Sequence, residues 1–142
     1  MIFSLADHIE QIKAGTKTQT RRPSDRYQVG KLYSVQPGRG KKGIPEGRIY
    51  VALKFREYKP DLSAIRKDSL AEKWMQSEAG YPISRICALE EGGYTPDEYE
   101  VLYEKMYPGW TDRYAYWFSF FTVDTLSECG VQKISNTKER EK

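Results

Sequence analysis

Histidine is almost missing: His8 stands alone among 142 residues, which removes catalytic arrangements built on an imidazole base and leaves Lys, Glu, Asp or Tyr for any acid–base step. Cysteine is scarce as well. Cys87 and Cys129 lie far apart with no CxxC or Cys/His cluster, so the pattern supports neither a disulfide scaffold nor a zinc site. Both read as reduced thiols, and no metal or other cofactor is expected. No run approaches the roughly 18 apolar residues of a membrane helix. The opening MIFSLADHIEQIKAG also lacks the basic start and apolar stretch of a signal peptide, so the expected location is cytoplasmic. There is no internal repeat.

What is abundant is aromatic and basic. Aromatics reach 13%, with eleven tyrosines, a surplus that suits a β-rich core or a base-stacking surface. The net charge of +3 hides a division along the chain. Lys13 to Lys59 holds thirteen Lys/Arg against Asp25, Glu46 and Glu57, a local balance of +10, whereas Pro60 to Lys142 holds ten against fifteen. Folded onto one face, such a block is an electrostatic footprint for phosphate; scattered, it is a solvated surface.

Local patterns place the elements. Ser4 with Asp7 forms an N-cap pattern, Leu5, Ile9 and Ile12 follow at helical spacing, and Gly15 supplies a stop, so a first helix of about ten residues is predicted. TKTQTRRPSDRYQVG, with Pro23 and Gly30 and no apolar period, reads as an ordered loop or irregular edge strand. KLYSV is a short strand, QPGRGKKGIPEG a long turn, and RIYVALKFREY a half-buried strand with Ile49, Val51, Leu53 and Phe55 on one face. Three helical segments follow: one opening at Ser69 with Glu72 in a capping box, one from Ser84 to Glu91 closed by Gly92 and Gly93, and one opening at Thr95 with Pro96 in its first turn. The last should bury Tyr99, Leu102, Tyr103 and Met106. Tyr114 to Val123, apolar on both alternating faces, is the expected core strand, with Trp117 inside it. One domain over residues 1–126 and a polar, mobile tail over 127–142 complete the reading, an α+β arrangement most simply built as a partly closed barrel with helices on its rim.

The stretch GTKTQTRR, from Gly15 to Arg22, admits two readings. As chemistry, a threonine hydroxyl needs a base, and without an imidazole that base is a lysine kept neutral by burial or by neighbouring cations such as Arg21 and Arg22. Lys17 and Thr20 meet on a helical turn but point to opposite faces of an extended strand. As plain structure, Thr16, Thr18 and Thr20 belong to a loop or edge, and the cations are solvated or hold phosphate.

The same segment resembles the GxKxxTxR signature of the ASCH domain family, with Gly15, Lys17, Thr20 and Arg22 in the four fixed places. Similarity extends through VGKLYSVQPGRG, ALEEGGYTPDEYEVLYEKMYPG and the closing aromatic strand, roughly Met1 to Val123. The resemblance implies a PUA-like β-barrel whose cleft suits RNA or a modified nucleoside. Small bacterial members of the family are amidohydrolases that deacetylate N4-acetylcytidine with a Lys, a Thr and a Glu. Carried across, these fall on Lys17, Thr20 and Glu91, with Glu90 competing because the spacing to YPG differs by one, and an insertion lies around EKWMQSEAGYPISRICAL. Thr20 would attack, Lys17 would take and return the proton, Glu91 would orient the ammonium or a water, and Arg22 or backbone amides would hold the oxyanion. A non-catalytic RNA-binding regulatory module and a ribonuclease are the alternatives.

The binding surface expected beside that trio comprises Arg21, Arg22, Gln36, Arg39, Lys41, Lys42, Trp110 and Arg113. QPGRGKKG is no phosphate loop of the GxxxxGK[ST] type, because its glycines are too close and no Ser/Thr follows Lys41. It is either a flexible hairpin turn or a basic finger on an RNA backbone. Trp110, next to a turn and near Arg113, is the stacking candidate. Glu90, Glu98 and Glu100 read as a solvated helix face.

Overall fold

Apolar side chains recurring at the predicted periods give, in the computed structural model of the chain, a set of helices and strands that is α+β. The structure describes residues 1–59 and 83–128. Its elements in chain order are α1 (Ala6–Ala14), β1 (Gln19–Arg22), β2 (Leu32–Ser34), β3 (Gly47–Tyr58), α2 (Arg85–Gly92), α3 (Pro96–Met106), β4 (Asp112–Thr122) and α4 (Val123–Glu128). The strands are ordered β1-β4-β3-β2. Among the described residues β1 and β2 are therefore edges, and the sheet is not closed into a barrel. The helix expected from Ser69 lies outside the described residues, as does the tail from Cys129 onward.

Two compact units make up the chain. The first takes in Met1–Thr18, Tyr27–Lys54 and the chain from Trp117. Its core gathers Ile9 and Ile12 of α1, Val35, Ile49 and Val51 beside β2 and β3, and Phe118 of β4, each buried. Each such apolar side chain removed from water contributes about 1.5–3 kcal/mol. β2 pairs antiparallel with β3, Leu32 opposite Tyr50 and Ser34 opposite Arg48. Gly47 opens β3 where a Cβ would stand 2.2 Å from the carbonyl oxygen of Phe121, so only a bare backbone fits. α1 begins one residue later than its cap pattern suggested. Leu5, not Ser4, is the N-cap residue, and it makes no side-chain cap bond. The preceding backbone is instead tied to the loop after β2, where the Phe3 amide donates to the Gln36 carbonyl at 2.8 Å.

The second unit takes in Gln19–Arg26 and Phe55–Tyr116. α2 starts as its sequence requires, the Ser84 side chain accepting from the Cys87 amide at 3.2 Å, and stops at Gly93 in the left-handed region. α3 carries the full capping box: the Glu98 amide donates to Thr95 Oγ1, and the Thr95 amide to Glu98 Oε1. Tyr99 and Tyr103, four apart on α3, pack with Ile83, Ala88 and Trp110. The Tyr103 and Trp110 rings meet edge-on at 5.2 Å.

Three expectations of burial change. Leu53 and Phe55 on the supposed apolar face of β3 are 51% and 52% exposed, while Glu57 on that same face is buried. The alternation is right, but the face changes character along a strand that serves both units. Trp117 is only partly buried, the core of β4 being Ala115, Tyr116 and Phe118. Met106 is exposed at the end of α3. The chain after β4 forms α4 and buries Leu126.

Candidate active site

The segment from Gly15 to Arg22 leaves α1 under tight control. Gly15 adopts φ 82° at the helix end, a value that favours glycine. The amides of Thr16 and Lys17 then both donate to the Gln11 carbonyl, at 2.9 and 3.1 Å. The Thr16 hydroxyl joins them at 3.3 Å. Helix-end carbonyls need such partners, and here they fix where the chain turns out of α1. Lys17 follows in the first unit, 2% exposed, its Nζ 5.8 Å from the centre of the Phe3 ring.

β1 belongs to the second unit, and its two faces do different things. Alternation puts Thr20 and Arg22 on one face and Gln19 and Arg21 on the other. On the first, Arg22 Nε donates to Thr20 Oγ1 at 3.1 Å, so a buried hydroxyl lies against a half-buried guanidinium. On the second, Arg21 Nη1 donates to Gln19 Oε1 at 3.0 Å, and Gln19 Nε2 to Glu90 Oε1 at 3.2 Å.

Arg21 goes further into the interior. Its Nε and Nη2 donate to the two carboxylate oxygens of Glu57, each at 2.9 Å, and its Nη1 to Glu91 Oε2 at 2.7 Å. Glu57 Oε1 also accepts from Arg113 Nε at 2.9 Å, and Arg113 clamps Glu100 through Nη1 and Nη2, both at 2.8 Å. Glu100 Oε2 accepts the Ile83 amide besides. The Arg113 guanidinium lies 4.3 Å from the Trp110 ring centre and 4.8 Å from that of Tyr103. Charges taken from water survive only when paired and hydrogen-bonded like this.

The electrostatics follow from that burial. Desolvation works against the Arg21 cation, yet the Glu91 charge and the Glu57 hydrogen bonds outweigh it and raise its pKa. Arg113 is raised in the same way, desolvation being outweighed by the hydrogen bonds and charge of Glu100 and by Glu57. Tyr99 is pushed well above the usual tyrosine range, first by burial and next by the neighbouring Glu91 charge, so its hydroxyl keeps its proton. Glu90 and Glu91 occupy the last turn of α2, against the negative end of the helix dipole, and α2 has no basic residue there. The cation comes from β1 instead.

Three residues of the expected binding surface are buried: Arg21 and Arg113 direct their donors at Glu57, Glu91 and Glu100, and Trp110 packs in the aromatic cluster of α3. Glu98 and Glu100 are likewise no idle helix face: one caps α3 and the other anchors Arg113. In the first unit, Gln36 is buried and donates to the Lys41 carbonyl at 2.9 Å, shaping the loop that leaves Arg39, Lys41 and Lys42 exposed. Thr20 and Glu91, buried, share the second unit with half-buried Glu90.

Glu57 and Gln19 were absent from the sequence-based list. Glu57 had a signal: it falls in phase with Ile49, Val51, Leu53 and Phe55, and a carboxylate on the inward phase of a strand calls for a buried cation. Gln19 had none. Among the described residues no group of three or more His, Cys, Asp or Glu side chains is placed to hold a metal ion. No helix there is long and apolar enough to cross a membrane.

No protein-family model matches the chain, and no curated protein matches it. Among solved structures, the ASCH protein of Zymomonas mobilis is similar at 14% identity and a TM-score of 0.48, over 92% of this chain and 78% of that one. A tyrosine-to-phenylalanine variant of ZmASCH from the same organism aligns at 12% identity and 0.48, over 92% and 81%, and a serine-to-alanine variant at 13% and 0.48, over 89% and 76%.

Proposed function

We propose that this chain is an ASCH-type domain that hydrolyses the amide of an acylated cytidine-type nucleoside, free or within RNA. One observation supports the reading above the others. Lys17, Thr20 and Glu91, the polar residues that the signature resemblance singles out, are each at most 5% exposed, whereas residues serving only solubility stay in water. In this mechanism the Thr20 oxygen attacks the acyl carbon and its proton passes to Lys17, which stands three residues earlier in the chain. The same proton is returned to the cytosine amine as the carbon–nitrogen bond breaks. Water then splits the threonine ester to release the carboxylate and restore the hydroxyl. Arg22, bonded to Thr20 Oγ1, favours negative charge on that oxygen. Glu91 orients the ammonium or the water.

The test is incubation with N4-acetylcytidine, with cytidine read by chromatography. Thr20→Ala and Lys17→Ala are expected to abolish cytidine formation while circular dichroism stays unchanged. Full turnover by Thr20→Ala ends the nucleophile assignment.

A second reading, RNA binding without catalysis, draws on a different observation: Arg39, Lys41 and Lys42 project from one exposed loop in the first unit. It expects affinity that falls with salt, with the log–log slope reduced by about one for each of these cations replaced. Binding indifferent to salt refutes it.

A further inference from the structure

The four fixed places of the signature leave Arg21 out, yet Arg21 is the residue of β1 that reaches the proposed catalytic carboxylate. We propose that Arg21 is a positioning residue, which sets the orientation of Glu91 for the reaction by clamping its carboxylate to an ion-pair chain running through Glu57 and Arg113 to Glu100. This rests on the hydrolase reading above and deepens it.

The argument begins with the position of Glu91. It is the seventh residue of the eight-residue helix α2, where the dipole disfavours an anion and the last turn of α2 holds no basic residue. Glu91 is 2% exposed, so water does not stabilise its charge either. Arg21 Nη1 at 2.7 Å from Oε2 answers both needs.

A lone arginine on a flexible stem would fix little. Arg21 is held at its other end by the two parallel bonds to Glu57, and Glu57 is held in turn by Arg113, which Glu100 grips through two more. The chain of bonds joins β1, β3, β4, α2 and α3 within one unit, so the Glu91 carboxylate is referred to five elements. Gln19 adds a side brace, bonded to Arg21 on one side and to Glu90, the neighbour of Glu91, on the other. Lysine cannot reproduce this, because it lacks the planar fork that serves Glu57 and Glu91 together.

The decisive experiment is a kinetic double-mutant cycle on N4-acetylcytidine, using Arg21→Lys, Glu91→Asp and the pair. Arg21→Gln is added as a second variant if circular dichroism shows it folded. Arg21→Lys is expected to lower kcat about 10- to 100-fold with KM within twofold, the effect of a misplaced but intact catalytic group. Glu91→Asp, one methylene shorter, loses the Arg21 contact. In that background Arg21→Lys is expected to cost less than threefold more. A full, independent loss from Arg21→Lys in the Glu91→Asp background overturns the positioning role while leaving the hydrolase reading in place. So does an Arg21→Lys enzyme with unchanged kcat. If the unmodified protein forms no cytidine, the hydrolase reading falls and the positioning role falls with it. If Glu91→Asp is as active as the unmodified protein, the assignment of Glu91 falls, and Arg21 has no catalytic group to position.

Discussion

Replacing Glu57 with glutamine tests whether the buried ion-pair chain is a structural keystone of the second unit. Glu57 accepts three charge-assisted hydrogen bonds, from Arg21 Nε and Nη2 and from Arg113 Nε, all at 2.9 Å. A glutamine of the same shape offers one acceptor oxygen and turns an NH2 group toward a guanidinium. It therefore removes the anion shared by two buried cations and sets donor against donor. Removing one partner of a buried ion pair costs about 3–5 kcal/mol, because the charge left behind stays desolvated. Arg21 retains Glu91 and Arg113 retains Glu100, which places Glu57→Gln toward the lower end of that range. Urea denaturation monitored by circular dichroism measures the change. Asp112→Asn is the control, since the Arg56–Asp112 pair has side chains 49% and 35% exposed and such solvent-screened pairs contribute little. A Glu57→Gln protein within about 1 kcal/mol of the unmodified one refutes the claim that this network is buried and tightly coupled.

Two further outcomes follow from local geometry. Glu98 is held below the usual carboxylate range by its hydrogen bonds with Thr95, chiefly to the Thr95 amide, so its contribution to α3 is present above its unfolded pKa near 4.5 and is lost as the pH falls through its lower folded value. Carboxyl-carbon NMR should show Glu98 titrating low, and Thr95→Ala should cost about 1 kcal/mol; a Glu98 titration at the ordinary value contradicts the capping box. Gly47→Ala forces a methyl group to within 2.2 Å of the Phe121 carbonyl oxygen, and the required backbone shift should cost about 1–3 kcal/mol in the same denaturation assay. An unchanged midpoint shows that the two backbones do not approach so closely.

Elements whose signals are local were legible in the sequence. The capping box of α3, the extent of α2 after Ser84, the glycine stops at Gly15 and Gly93, and the short strand around Leu32–Ser34 all fall where residues within four positions of one another determine the outcome. The misplaced start of α1 has the same logic seen from outside. Ser4 is a good cap in isolation, but the Phe3 amide bonds to Gln36, thirty-three residues away, and the extended chain runs on to Leu5. Nothing near Ser4 encodes that bond.

Counting charge along the chain failed for the same reason, and more informatively. The thirteen cations from Lys13 to Lys59 read as one basic block. Yet Arg21 finds Glu57 thirty-six positions on and Glu91 seventy positions on, and Arg113 finds Glu57 fifty-six positions back. Glu91, Asp112 and Glu104, which a linear count assigns to the other half, are thus counterions of Arg21, Arg56 and Lys59 in the block, while Glu57, counted within it, is shared with Arg113 from outside it. What remains at the surface from the expected contact residues is a smaller set, Arg39, Lys41 and Lys42 in one loop with Arg22 half-buried beside Thr20. That division separates the two kinds of work the segment was asked to explain. The exposed cations are free of the cost of desolvation and suit a diffuse, salt-sensitive contact with phosphate. The interior ones have already lost their water, and a carboxylate fixed at 2.7 Å by such a cation is suited to holding one orientation through a reaction.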